Sequence, residues 1–273
     1  MEVRFLGVRG SVATSGSQVA RIGGNTSCVE VVSQGERLIF DAGTGVRGLG
    51  DELMKGGKPV KATMLWSHLH WDHVQGFPFF TPAYVPGTEL KLYGPGVRGD
   101  LELQTVLANQ MMPPNFPVPL SAMKGRLEFA AAEANKPIEI GPFKVTPFDL
   151  NHPQGCMGYR VDADGASFVY MTDVELNLSS LTPTVASIIE GADALVLDAQ
   201  YTPDEYLTKK GWGHSSFVDA AQIAFATHAR RLFLFHHDPA HNDDQVETMA
   251  EEARNYFSAA EPAREGKKVV LSA

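Results

Sequence analysis

Short apolar runs, bounded by glycine, proline and polar residues, recur along the whole chain and read as strands. They cover residues 3–8, 28–32, 38–40, 64–66, 90–93, 143–148, 167–171, 194–197 and 232–235. The first three follow one another with no room for a crossover helix, so the opening sheet is antiparallel or mixed. Two stretches carry helical spacing. One follows Ser216, with Asp219 as its capping partner and Phe217, Ala221, Ala224 and Phe225 as its apolar positions. The other runs from about 243 to 259, with Val246, Met249, Ala250, Ala253, Tyr256 and Phe257 on one face. Strands mixed with helices, without a clean linker, predict an α/β (α+β) architecture of layered sheets flanked by helices in one domain, 1–273.

Two segments break the pattern. Residues 7–25, rich in glycine and serine, read as a loop between the first two strands. Residues 110–123 hold four prolines and three methionines and cannot form a regular element. This Pro/Met-rich loop is either a plain surface loop or a lid or subunit contact.

Composition narrows the class. With 44% hydrophobic and 20% charged residues in 273, the chain reads as a globular protein with a sizeable core. It has no apolar run of 18 or more, so no membrane span is expected. Glu2, Arg4 and Arg9 interrupt the amino terminus, so a secretory signal is not expected there. Two separated cysteines make no disulfide framework, and a reduced cytoplasmic setting fits. The net charge of −9 argues against a long nucleic acid as partner, because phosphate binding draws on basic patches. It says little against a small phosphate ester, since a metal-lined pocket can be locally positive.

The sharpest chemical signal is His68, His70, Asp72 and His73, the pattern H-x-H-x-D-H. Chance would place it in roughly five of ten thousand chains of this composition. Leaving a strand-like run at Trp66, His68, His70 and Asp72 should project alternately to one side, with His73 offset toward a second centre. Neutral imidazole and carboxylate suit borderline divalent ions such as zinc, and manganese or iron as well. Other polar residues close apolar runs, where a sheet displays ligands best: His152, Asp173, His236, Asp41 and Asp198. Singly, each is an ordinary turn former.

The motif and this order of residues are similar to those of the metallo-β-lactamase superfamily. The resemblance implies an αββα sandwich of two mixed sheets. It also implies a pair of divalent metal ions, Zn2+ first and Mn2+ second. One would be held by His68, His70 and His152, the other by Asp72, His73 and His236, with Asp173 bridging. His237 is the rival of His236. Asp41 resembles a carboxylate that steadies the ligand loop. Cys156 reads as a core residue.

Within the superfamily, His152 lies in Asn151-His152-Pro153-Gln154-Gly155, unlike the glyoxalase II branch. Asp198-Ala199-Gln200-Tyr201 and Gly213-His214-Ser215-Ser216 resemble motifs of tRNA 3′-processing endonucleases and their small-substrate phosphodiesterase relatives. The phrases at 7–11 and 23–28 resemble a bacterial group similar to cyclic-nucleotide phosphodiesterases, including anti-Pycsar enzymes. The resemblance implies a metal-dependent phosphodiesterase of small substrates, best 3′,5′-cyclic nucleotides, cleaved by a metal-bridging hydroxide. His214, Asp198 and Asp72 would be its catalytic residues, His214 giving the leaving oxygen its proton and Asp198 orienting the ring. The plainer reading of His214 is a residue ahead of a helix cap. A homodimer is also implied. Alternatives are a tRNA 3′-processing-type endoribonuclease, or a hydrolase of a carbon ester, lactone or β-lactam. A binder without turnover is disfavoured by the full set of seven ligands. Residues 110–126 hold only Lys124 and Arg126 as basic residues, so no RNA-gripping arm is expected there. Phe116 in that loop is a candidate stacking surface for a base.

Overall fold

The computed structural model describes residues 1–272. Strands β1 (Glu2–Gly7), β2 (Cys28–Ser33), β3 (Glu36–Phe40), β4 (Lys61–Leu65), β5 (Glu89–Pro95) and β6 (Arg126–Ala132) form one sheet. Strands β7 (Ile138–Ile140), β8 (Phe143–Leu150), β9 (Cys156–Ala163), β10 (Ala166–Met171), β11 (Ala194–Asp198), β12 (Leu232–Phe235) and β13 (Ala260–Pro262) form the other. The last strand, β14 (Lys268–Val270), returns to pair antiparallel with β1. Both sheets are mixed. β1, β2 and β3 are antiparallel, as the absence of a crossover helix predicts, whereas β3 through β6 run parallel. In the second sheet β7 to β10 are antiparallel and β10 to β13 parallel.

The helices are α1 (Val46–Met54), α2 (Trp71–Val74), α3 (Gly99–Gln110), α4 (Pro183–Ile189), α5 (Pro203–Thr208), α6 (Phe217–Ala226) and α7 (Asp243–Ala253). None is long and apolar enough to cross a membrane among the described residues.

Three apolar clusters make the layers. The sheets meet over Phe5, Phe40, Tyr159, Phe168, Tyr170 and Phe235, with Phe40 only 5.4 Å from Tyr170 between ring centroids. Burying each such ring contributes about 1.5–3 kcal/mol. A second cluster joins β10, β11 and β12 to α6 and α7 through Leu195, Leu197, Phe217, Ala221, Met249 and Ala250. The third joins β3, β4 and β5 to α1 and α3 through Ile39, Leu49, Met64, Leu92, Leu103 and Leu107.

The helical faces differ from expectation at their edges. Phe225 lies at the end of α6 but is exposed, and α7 stops at Ala253, not 259, leaving Tyr256 exposed. The chain has to turn after Ala253 to enter β13, so the apolar spacing outlasts the helix. The segment 110–123 begins inside α3, and its one short regular piece is a 3-10 turn, Leu120–Ala122. Met111 and Met123 anchor it in the third cluster, so only the part between them stands at the surface.

Candidate metal centre

Each strand-end side chain stands where its strand stops pairing. Asp41 follows β3, His152 lies two residues past β8, Asp173 two past β10, Asp198 ends β11 and His236 follows β12. Asp41, Asp173 and His236 have φ of 58°, 50° and 60°. This left-handed conformation, costly for a residue with a side chain, turns each sharply off its strand. The predicted alternation past Trp66 holds only for the first two histidines: β4 ends at Leu65, and Asp72 and His73 lie in the single turn of α2. It is the helical turn, not strand alternation, that sends Asp72 and His73 to the same side.

The seven side chains come together in two groups. His68, His70 and His152 form one, and Asp72, His73, Asp173 and His236 the other, each with its donor atoms within 4.8 Å of one another. Asp173 faces both. Its Oδ1 lies 3.7 Å from His68 Nε2, 4.0 Å from His152 Nε2 and 3.2 Å from His236 Nε2. Its Oδ2 is 3.2 Å from His73 Nε2. Asp72 Oδ2 lies 3.3 Å from His73 Nε2 and 3.2 Å from His236 Nε2, and accepts the Ser11 N–H at 2.8 Å. His237 points elsewhere, donating from Nε2 to the Ala263 carbonyl at 3.0 Å.

Most of these rings are held from behind. His73 Nδ1 donates to Asp41 Oδ2 at 2.8 Å, His152 Nδ1 to the Gly213 carbonyl at 2.8 Å, and His236 Nδ1 to Gln200 Oε1 at 3.0 Å. His70 is turned the other way: Nε2 meets Gln154 Oε1 at 2.9 Å and leaves Nδ1 facing His152. Fixing one ring nitrogen aims the other inward, the arrangement that second partners give to metal-bound imidazoles. Asp41 also accepts from Ser67 N, Ser67 Oγ and the Tyr170 hydroxyl, each at 2.8 Å.

The donor set fits divalent cations. His68 Nε2 and His73 Nε2 are buried with no hydrogen-bond partner, although both face carboxylate oxygens. An orphaned polar atom in so polar a pocket calls for a ligand. Burial lowers the His68 and His152 pKa values, keeping those rings neutral, the form that binds a metal. Burial alone would raise Asp72 and Asp173, but His73 and His236 outweigh it and hold both well below the usual carboxylate range. Burial likewise opposes protonation of His73, yet Asp173, Asp72 and Asp41 overcome it and push its pKa well above the usual value. The pocket attracts positive charge.

His214 stands beside the second group rather than merely preceding a helix cap. Its ring stacks on His236 at 4.9 Å between centroids and lies 5.3 Å from His152. Its Nδ1 donates to Asp198 Oδ2 at 2.7 Å, while Asp198 Oδ1 accepts from Ser215 N at 3.0 Å. Burial disfavours the imidazolium, but Asp198 prevails and pushes the His214 pKa up to about 9. Ser216 is the cap of α6, accepting the Asp219 N–H as expected.

A cleft of about 620 Å³ opens beside His68 and His70, lined also by Val97, Arg98, Gln154 and Met157. Phe116 does not line it; the ring packs edge-on against Phe79 at 5.6 Å. Cys156 lies under His68, buried, with its thiol pKa raised by desolvation and its Sγ donating to the Thr172 carbonyl. Sequence reasoning missed Ser11, Ser67, Tyr170, Gln200 and Gly213. Ser11, Gln200 and Gly213 lie in family-like phrases, Ser67 directly precedes His68 and Tyr170 sits in the run before Asp173, but nothing local marks any of them as a partner of the ligands.

Comparison with known proteins agrees with this geometry. The profile of the beta-lactamase superfamily domain matches residues 36–237, which include all seven converging side chains and the Asp198–His214 pair. Ribonuclease Z of Streptococcus agalactiae is 26% identical over 322 aligned positions, spanning 98% of this chain and 99% of that protein. Among solved structures, the metallo-beta-lactamase fold protein YhfI from Bacillus subtilis superposes with a TM-score of 0.74 at 20% identity, covering 98% of each chain. A diphosphatase from the PhnP family superposes with a TM-score of 0.70 at 19% identity, covering 98% of this chain and 97% of its own. The chain belongs to the beta-lactamase superfamily and is a hydrolase of the metallo-β-lactamase fold, a fold built to bind divalent metal ions.

Proposed function

We propose that this chain hydrolyses small phosphodiesters, best 3′,5′-cyclic nucleotides, with His68, His70 and His152 holding one divalent cation and Asp72, His73 and His236 a second. Asp173, which faces both groups, would serve both cations, and Zn2+ is the first candidate, Mn2+ the second. The observation that carries this reading is the Asp198–His214 pair, set beside both ligand groups with the ring's Nε2 left free.

When bound, the two cations supply an activated water and neutralise the non-bridging phosphoryl oxygens. The chain's own residues do the rest. Asp198 takes Nδ1–H of His214 and stabilises the charged ring, so Nε2 carries the proton for the leaving oxygen as the P–O bond breaks. Ser11 N–H, Asp41 and Gln200 fix the second group's side chains before substrate arrives, so little reorganisation is left for the reaction. The cleft beside His70 receives the substrate beyond its phosphate.

Processing of tRNA 3′ ends is the second reading, favoured by the ribonuclease Z relatives. Against it, the alignment with the streptococcal enzyme leaves about fifty of its positions without counterpart here, and the net charge is −9. A cytoplasmic homodimer also belongs to this proposal. Both cysteines are free and buried, and Val97, Leu101 and Met112 expose apolar surface.

The test is a panel of cyclic nucleotides, precursor tRNA, bis(p-nitrophenyl) phosphate, a lactone and a β-lactam, run on the metal-loaded wild type and His214→Ala. Cyclic nucleotides should turn over, and His214→Ala should cut the rate by roughly 10²-fold or more. Turnover confined to tRNA or to acyl substrates would overturn the reading.

A further inference from the structure

Glu175 lies two residues past Asp173 and has no part in the ligand set, yet its carboxylate holds the loop that carries His214. Oε2 accepts the N–H groups of Gly211 at 2.8 Å and Gly213 at 3.2 Å, and Oε1 accepts the Tyr206 hydroxyl at 2.9 Å. The backbone of Glu175 is tied to the other side of the site. Its N–H donates to the Asn151 carbonyl at 3.0 Å, and its carbonyl accepts from Asn151 Nδ2 at 3.3 Å.

Gly213 is the hinge of this arrangement. Its N–H is taken by Glu175 and its carbonyl takes His152 Nδ1 at 2.8 Å. The approach is so close that a Cβ on Gly213 would lie 2.3 Å from that nitrogen, and the φ of +89° suits only glycine. Moving this one residue therefore moves His152 on one side and His214, the next residue, on the other. A carboxylate accepting three donors, two of them backbone amides of the same short loop, is a strong clamp on such a residue.

We infer that Glu175 is a positioning residue that sets His152 and His214 together through Gly213. The inference rests on the proposed roles of those two histidines. Glu175→Ala removes all three contacts and Tyr206→Phe removes a single donor without touching the loop, whereas Glu175→Gln, whose amide oxygen can accept both glycine N–H groups while its NH2 donates to the Tyr206 hydroxyl, is the conservative control.

The experiment measures Zn2+ affinity by chelator competition on metal-free protein, kcat and KM with bis(p-nitrophenyl) phosphate, and thermal unfolding. Glu175→Ala should weaken the cation site that uses His152 by roughly 10–100-fold, and Glu175→Gln should restore most of that affinity. The kcat of Glu175→Ala should fall by at least roughly tenfold with KM within about twofold, and Tyr206→Phe should show the same pattern more weakly. In a His214→Ala background the kcat loss from Glu175→Ala should shrink, because part of it acts through that ring. Wild-type cation affinity in folded Glu175→Ala would overturn the inference, as would a kcat loss undiminished by His214→Ala. Failure of the wild type itself to take up two cations would instead sink the proposed site, so the two failures are distinct.

Discussion

His73 and Asp41 meet at 2.8 Å between Nδ1 and Oδ2, with both side chains shut off from solvent. Asp41 comes from the end of β3 and His73 from α2, so this contact locks the ligand loop onto the sheet. The same carboxylate takes the Tyr170 hydroxyl from β10 across the sandwich, joining the two sheets directly beneath the metal centre.

Asp41→Asn should weaken binding at the second group by roughly 10–100-fold, the usual cost of losing a partner behind a ligating imidazole. All four of Asp41's neighbours are donors, and an amide NH2 cannot accept from them. Chelator competition with Zn2+ measures it; unchanged affinity would mean that His73 is aimed by packing alone.

Tyr170→Phe removes one buried donor from the same carboxylate and leaves the tilted and edge-on ring contacts with Phe40 and Phe235 in place. Unfolding free energy should fall by about 1.5–3 kcal/mol, the range for a hydrogen bond to a charged group, while two cations still bind. Urea denaturation of the metal-free forms gives the first number and metal analysis the second.

Gly10→Ala tests why the phrase at 7–11 has a glycine there. A Cβ at that position would lie 2.5 Å from Cε1 and Nδ1 of His236. The ring must swing, losing its Gln200 partner and its aim at Asp72 and Asp173. Affinity for the second cation should fall at least roughly tenfold, with metal-free stability lowered by about 1–3 kcal/mol from overpacking. An unshifted cation titration would show that the His236 ring has room to give.

The seven converging side chains were legible because each sits in a dense motif or ends an apolar run, and such runs are the backbone's own pointers to the sheet's rim. The partners that aim them were not. Tyr170 reads as one more strand aromatic, and its bond to Asp41 joins residues 129 apart. Among the elements, α3 escapes because its buried Leu103 and Leu107 are mixed with exposed Leu101, so no single apolar face emerges. Strand β9 alternates inward Met157, Tyr159, Val161 and Ala163, a readable signal, but glycine at 158 and charges at 160 and 162 interrupt the apolar run. That glycine is demanded by the Phe148 ring of the neighbouring strand, 2.5 Å from where a Cβ would be.

Removing metal should loosen the molecule as well as silence it. Six buried imidazoles and carboxylates of the two groups would then face one another with two imidazole nitrogens unpartnered. A cation that binds only the folded state should add about 2.7 kcal/mol per site when saturated at about 100 times Kd. Exhaustive chelation should therefore lower the melting temperature by several degrees, and Zn2+ should restore it. A melting curve indifferent to metal would mean that the cluster is held by packing without ions.

Arg98 is where substrate size should be read. It stands on the turn from β5 into α3, exposed, at the wall of the cleft that opens beside His70. That turn closes tightly: Gly94 and Gly99 approach so closely that a Cβ on Gly94 would lie 1.8 Å from the Gly99 carbonyl oxygen. A guanidinium carried on this turn can stack on a base or pair with a phosphate oxygen, roles that Phe116, packed on Phe79, does not reach. Arg98→Ala should raise KM for a cyclic nucleotide roughly tenfold, about 1.4 kcal/mol of uniform binding, and leave kcat within about twofold. KM for bis(p-nitrophenyl) phosphate, which carries no base or sugar, should move less. Equal changes for both substrates would place the nucleoside outside this cleft.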